Sequence, residues 1–203
     1  NEDEFDWEGT IRSPLHKQRV YPQTERGSLR SWIGVGGSPE SVVRAARHGL
    51  PLCIAIIGGQ PSRFTPFVDL YHEALAQFEQ PNQPISVHSP GHIAETDEQA
   101  KEEIWPHYRE MFGRIGRERG WPPVTYEQFE LGVGPHGSMY VGSPETVTEK
   151  IIRNSKLLRA SRFDLKYSNG GMPHDQLMSS IELYAKEVAP IVREEITDFT
   201  PIH

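Results

Sequence analysis

The stretch Trp32-Ile33-Gly34-Val35-Gly36-Gly37-Ser38-Pro39-Glu40-Ser41-Val42-Val43-Arg44-Ala45-Ala46-Arg47-His48-Gly49-Leu50-Pro51 decides the fold. Residues 31–35 read as a short strand, and Gly36-Gly37 turn the chain directly into a helix over 38–48. Ser38 is a good N-cap, Pro39 suits the first helical position, and Gly49 ends the helix. A strand feeding a capped helix through two glycines is half of a βαβ unit, so a second parallel strand is expected next.

That strand is the apolar run 52–57, bounded by Pro51 and Gly58-Gly59. Its length and flanks fit a strand covered on both faces. A helix over 62–78 follows, with Phe64, Phe67, Val68, Tyr71 and Leu75 at helical spacing. Residues 85–94 form the next strand, and Thr96 or Asp97 caps a long charged helix to about residue 119. Residues 121–135, rich in Pro and Gly, read as an excursion. A capped helix over 143–158, a strand over 162–168, the turn Asn169-Gly170-Gly171 and a helix over 174–195 complete the order. Alternation of this kind predicts parallel strands with helical crossovers.

Four such units make half of an eight-stranded barrel, which typically needs about 250 residues. The chain has 203. An open half-barrel exposes strand edges. Three arrangements meet that difficulty: a longer protein, a second copy, or a reduced barrel covered by the N-terminal segment. The first is the favoured expectation. The organisation expected is an irregular connecting segment over 1–30, a half-barrel over 31–196 and a tail over 197–203.

Net charge is −7, which argues against nucleic acid or an anionic membrane as the main partner. A single cysteine, Cys53, excludes an internal disulfide and reads as a core thiol. No apolar stretch reaches the length of a membrane span, and the acidic start lacks a signal sequence. The cytoplasm is therefore the expected location.

One motif occurs twice: Gly37-Ser38-Pro39-Glu40-Ser41-Val42 recurs as Gly142-Ser143-Pro144-Glu145-Thr146-Val147. Both copies are good helix starts. For the second copy, capping alone is the favoured reading. The first lies at the C-terminal end of a predicted barrel strand, where ligands of such barrels collect. Free backbone N–H groups, the positive end of the helix dipole and the hydroxyls of Ser38 and Ser41 suit a phosphate there. Gly36 and Gly37 leave its approach open. A plain N-cap is the alternative.

Residues 32–51, the Tyr140–Gly142 step into the second motif copy, the Gly170-Gly171 turn and the ending Ile181-Glu182-Leu183 … Val188-Ala189-Pro190 occur in one order. Together they resemble the bacterial-luciferase-like flavin-dependent monooxygenases over residues 10–196. The resemblance implies a TIM-type (β/α)₈ barrel, of which this chain carries roughly the C-terminal four units plus an inserted helix. It implies FMN, or alternatively coenzyme F420, as cofactor, and reduced flavin reacting with oxygen on a small organic substrate.

Carried over by position, the phosphate site falls on Gly36, Gly37, Ser38 and Ser41, and the ring wall on Ala55, Ile56 and Ile57. Gly170 and Gly171 either contact the ligand or simply turn the chain. Gly37 stands where bacterial luciferase has a Glu. The family's N-terminal half, with most contacts to the flavin face and substrate, has no counterpart here, and no catalytic residue is assigned. The expected partners are flavin, substrate, a supplier of reduced flavin and a second copy in a homo-oligomer. The alternative function is a non-catalytic flavin-binding or self-associating half-barrel.

His88 and His92 lie four apart on one strand, but no third ligand at convincing spacing supports a metal. His92, nearer the strand's C-terminal end, could face substrate, whereas His174 reads as a helix-start residue. Lys166, the one lysine on a predicted strand, would be wanted by an aldolase or isomerase, but no partner for it is evident.

Overall fold

A computed structural model describes residues 4–24 and 29–196. The expected tail over 197–203 lies outside the described residues. The chain divides into two compact units, Asn1–Ser31 and Trp32–His203.

The first unit departs from the expected irregularity. Strands β1 (Phe5–Trp7) and β2 (Leu15–Gln18) pair antiparallel, Phe5 opposite Gln18 and Trp7 opposite Leu15. Polar contacts hold them: Arg19 pairs with Glu4 at 3.0 Å, and the Lys17 N–H donates to Asp6 at 2.9 Å. Strands this short and polar carry no apolar alternation to announce them.

The second unit is an α/β fold with a parallel sheet. Its main staves are β3 (Ile33–Val35), β4 (Leu52–Ala55), β5 (Ile85–Ile93) and β7 (Arg162–Lys166), paired in that order. These are the four expected strands. A fifth, β6 (Tyr140–Gly142), escaped the sequence reading and pairs only with Gly91–Ile93, the far end of β5. Three residues are too few to show a period.

Helices α1 (Pro39–Arg47) and α2 (Thr65–Gln77) cover one face of the staves. Val35, Leu52, Ile54, Ile85 and Val87 point into that layer and meet Val42, Ala46, Val68, Tyr71 and Leu75. The alternate strand positions form the opposite face. There Gly34, Cys53, Ser86 and Arg162 share one row, and Ala55, His88 and Asp164 the next. This face is polar. Arg162 pairs with Asp164 at 2.7 Å, Ser86 donates to Asp164, and Arg162 stacks over Trp32. Cys53 therefore corrects the core-thiol expectation, being half-buried on this inner face. Burial, with Asp164 adding to it, pushes its thiol above the ordinary range.

Between β5 and β6 lie α3 (Asp97–Arg119) and α4 (Tyr126–Val133). The expected excursion over 121–135 is thus partly helical. Thr125 and Gln128 form a reciprocal capping box, a sequence signal masked by the surrounding Pro and Gly. Phe129 and Tyr126 pack on Trp105 of α3 at 5.1 Å between ring centroids. After α5 (Pro144–Leu157) and β7 comes the last helix, expected as one piece. It runs as α6 (His174–Leu183), a π turn over Tyr184–Val188, and α7 (Ala189–Glu195). Pro190 lacks the N–H that an unbroken helix needs, and the backbone widens just before it.

Candidate functional site

The α1 N-terminus sits at the C-terminal end of β3. Gly37 has φ +135, a conformation that side-chain-bearing residues rarely adopt, and a Cβ built there would meet nothing within 4 Å. The Ser38 hydroxyl accepts from the Ser41 N–H at 3.3 Å and donates to Glu40 at 2.8 Å. Arg44 donates to the Ser41 hydroxyl at 2.9 Å, bringing a guanidinium to the same turn. Glu40 is fully exposed, and hydrogen bonds from its own N–H and from Ser38 hold its carboxyl below the usual range.

The second motif copy shows what such a turn accepts. Ser143 caps α5 as Ser38 caps α1, its hydroxyl receiving the Thr146 N–H at 3.3 Å. Asp97 of α3 occupies that helix start, taking the Ser143 N–H at 2.7 Å and the Thr146 hydroxyl at 3.0 Å. Burial opposes the Asp97 charge, but the Ser143 N–H, the two hydroxyls and Lys101 outweigh it and hold its carboxyl below the usual range. Two copies of one motif thus differ in their occupant. The α5 copy holds a carboxylate from another helix, while the α1 copy meets the exposed Glu40 and the Arg44 guanidinium of its own helix.

The residues expected at the ring wall separate. Ala55 ends β4 on the inner face, beside His88 in register. Ile56 is 0% exposed, with its side chain in the layer under the helices, so it offers a ligand only backbone. Ile57 is 62% exposed just beyond the strand. Gly170 and Gly171 turn the chain after β7, at the same end of the sheet. They border a cavity of about 490 Å³ against α3, lined also by His107, Glu110, Met111, Arg114, Arg117 and Ser168.

His92 is 0% exposed and hydrogen-bonds through Nε2 to Glu103 of α3 at 2.6 Å. It ties α3 to β5 rather than facing an open site. No group of three potential metal ligands occurs among the described residues. His174 begins α6 as expected. The Lys166 ammonium has no hydrogen-bond or ion-pair partner among the described residues, and burial draws it below the ordinary range. Lys150 is the buried cation that sequence reasoning missed. Its Nζ donates to the carbonyls of Val133, Gly134 and Met139 at 2.9, 2.7 and 2.6 Å, fastening α5 to the loop before β6. Burial pushes it down to about 7.

With this geometry in view, residues 1–160 match the luciferase-like monooxygenases. The chain belongs to the luciferase-like monooxygenase family. No curated protein matches it. Among solved structures it is similar to monooxygenase RslO1 from Streptomyces bottropensis, at 20% identity and a TM-score of 0.70, covering 93% of this chain and 56% of that one. It is also similar to the oxygenating constituent of 3,6-diketocamphane monooxygenase from Pseudomonas putida, a type II Baeyer–Villiger enzyme in complex with FMN. There the identity is 21% and the TM-score 0.63, over 92% of this chain and 57% of that one. The coenzyme F420-dependent tetrahydromethanopterin reductase of Methanopyrus kandleri follows at 16% and 0.61, over 91% and 57%. The chain spans little more than half the length of these proteins. The luciferase-like fold is a TIM-type barrel, and this chain carries four of its β/α units with an insertion after β5.

Proposed function

We propose that this chain supplies the flavin-phosphate seat of a luciferase-like flavin-dependent monooxygenase, with Gly36, Gly37, Ser38 and Ser41 around the phosphate. The observation that carries this reading is the twin motif, whose α5 copy already holds a carboxylate by an N–H and a hydroxyl. The α1 copy offers the same donor set, an open Gly37 and the Arg44 guanidinium. A phosphate would displace the exposed Glu40 carboxylate and gain the charge of Arg44. FMN is the preferred cofactor, with coenzyme F420 the alternative. The bound flavin would supply the redox chemistry, using reductant and oxygen on a small organic substrate.

The chain's own residues would bind and orient. Ala55 and exposed Ile57 lie at the end of β4, where a ring could rest, with Ile56 contributing backbone only. Gly170 and Gly171 would border the ligand from the far stave. A supplier of reduced flavin and a homo-oligomeric state belong to the same proposal. So does a cytoplasmic location; no helix among the described residues is long and apolar enough to cross a membrane.

The test compares FMN with riboflavin, which lacks the phosphate. The double variant Ser38→Ala/Ser41→Ala is expected to lose about tenfold or more in FMN affinity while riboflavin binding stays unchanged. Glu40→Gln is expected to tighten FMN. Equal loss for both ligands, or none, would refute the seat. The inner polar face favours a second reading, a flavin-binding half-barrel that self-associates without turnover. A stable dimer that binds flavin but consumes no reductant would select it.

A further inference from the structure

The 490 Å³ cavity between α3 and the β7–α6 turn has a consistent chemistry. His107, Glu110, Met111, Arg114 and Arg117 recur at three- and four-residue steps, so one face of α3 presents them over about 15 Å. The other arginines near this helix's flanks stack on aromatic rings, Arg109 on Trp105 and Arg119 on Trp121. The guanidinium groups of Arg114 and Arg117 have no hydrogen-bond or ion-pair partner among the described residues, although Glu110 lies in the same wall.

The opposite wall is built to stay close and small. Gly170 has φ +77, and a Cβ there would come within 2.8 Å of the His107 carbonyl oxygen. Asn169, fully buried, pins this turn by donating to the Gly91 carbonyl at 3.1 Å. Gly171 leaves open space. Two guanidiniums at one mouth, unpaired in a chain of net charge −7, form a local exception to the overall field.

We propose that this cavity is a subsite for an organic anion, the carboxylate or phosphate of a small substrate, held by Arg114 and Arg117 with its apolar body against Met111. Guanidinium pairs recognise such groups by two parallel hydrogen bonds. The anion-binding itself stands on the cavity alone. Its role as a substrate subsite rests on the flavin reading, since the cavity opens at the end of the sheet where that reading places the cofactor.

The experiment titrates the full chain with benzoate, with neutral benzyl alcohol of similar size, and with inorganic phosphate, following tryptophan fluorescence and thermal stability. Benzoate is expected to bind, to weaken with added salt, and to lose about tenfold or more in affinity in Arg114→Gln/Arg117→Gln. Glu110→Gln is expected to tighten it, and Ser38→Ala/Ser41→Ala to leave it unchanged. Benzoate binding no better than benzyl alcohol, or undiminished in the double arginine variant, overturns the proposal. Comparison of FMN with riboflavin separates the two sources of anion. If the arginine variant abolishes the preference for FMN and benzoate does not bind, the cavity holds the cofactor's phosphate, and the substrate subsite is refuted. If the serine variant leaves FMN binding intact while benzoate still depends on the arginines, the flavin seat fails and the anion site stands.

Discussion

Asp97→Ala tests the reasoning behind the phosphate seat without any flavin. Asp97 accepts two hydrogen bonds at the start of α5, from the Ser143 N–H and the Thr146 hydroxyl. Hydrogen bonds to a charged group contribute about 1.5–3 kcal/mol each, and partial exposure of this carboxylate cuts their sum to about 2 kcal/mol. For a chain of this size that corresponds to a fall in Tm of about 4–8 °C. The helix start then stands empty, so inorganic phosphate should fill it. At ten times its dissociation constant it restores about 1.4 kcal/mol. Thermal unfolding followed by circular dichroism, with phosphate against chloride at equal ionic strength, measures both numbers.

The variant must gain more from phosphate than the parent does, because the parent's α5 seat is taken. Equal gains would show that the emptied α5 copy takes no phosphate, and the argument from it to the α1 seat would fall. Acid supplies a second readout. The Asp97 carboxyl sits below its unfolded value, so its contribution is present above the unfolded pKa and disappears as pH falls through the folded one. Asp97→Ala should therefore flatten the acid limb of the stability profile.

Two further outcomes follow from packing. Lys150→Ala removes the donor to three backbone carbonyls at once, and urea denaturation should show a loss of about 3 kcal/mol or more, against little change for exposed Lys156→Ala. Gly170→Ala adds a Cβ in a left-handed conformation against the His107 carbonyl, so it should cost about 1–3 kcal/mol and lower benzoate affinity together.

The four staves, their order and their helices were legible because each carries a long signal. The apolar run at β4 and the Ser-Pro caps of α1 and α5 are examples. Strands β1, β2 and β6 were not legible, being three or four residues long and held by tertiary pairing. Helix α4 was hidden by its Pro- and Gly-rich flanks despite its capping box. At the candidate site the motif located the α1 turn, but strand parity separated Ile56 from its neighbours: an apolar run does not say which face each residue takes. The polar inner face and the occupation of the α5 seat by Asp97 are pairings between distant segments, invisible to local pattern.

The inner face has a consequence for how the staves find a covering. Arg162, Asp164, Ser86 and Cys53 present hydrogen-bonding groups where a barrel lumen usually presents branched hydrocarbon. Water wets such a surface, so this flank offers no broad apolar patch to invite indiscriminate association. A cover over it would have to meet those groups in register. Lumen closure would then be governed by polar matching rather than by oil, which would make it selective in choosing its cover.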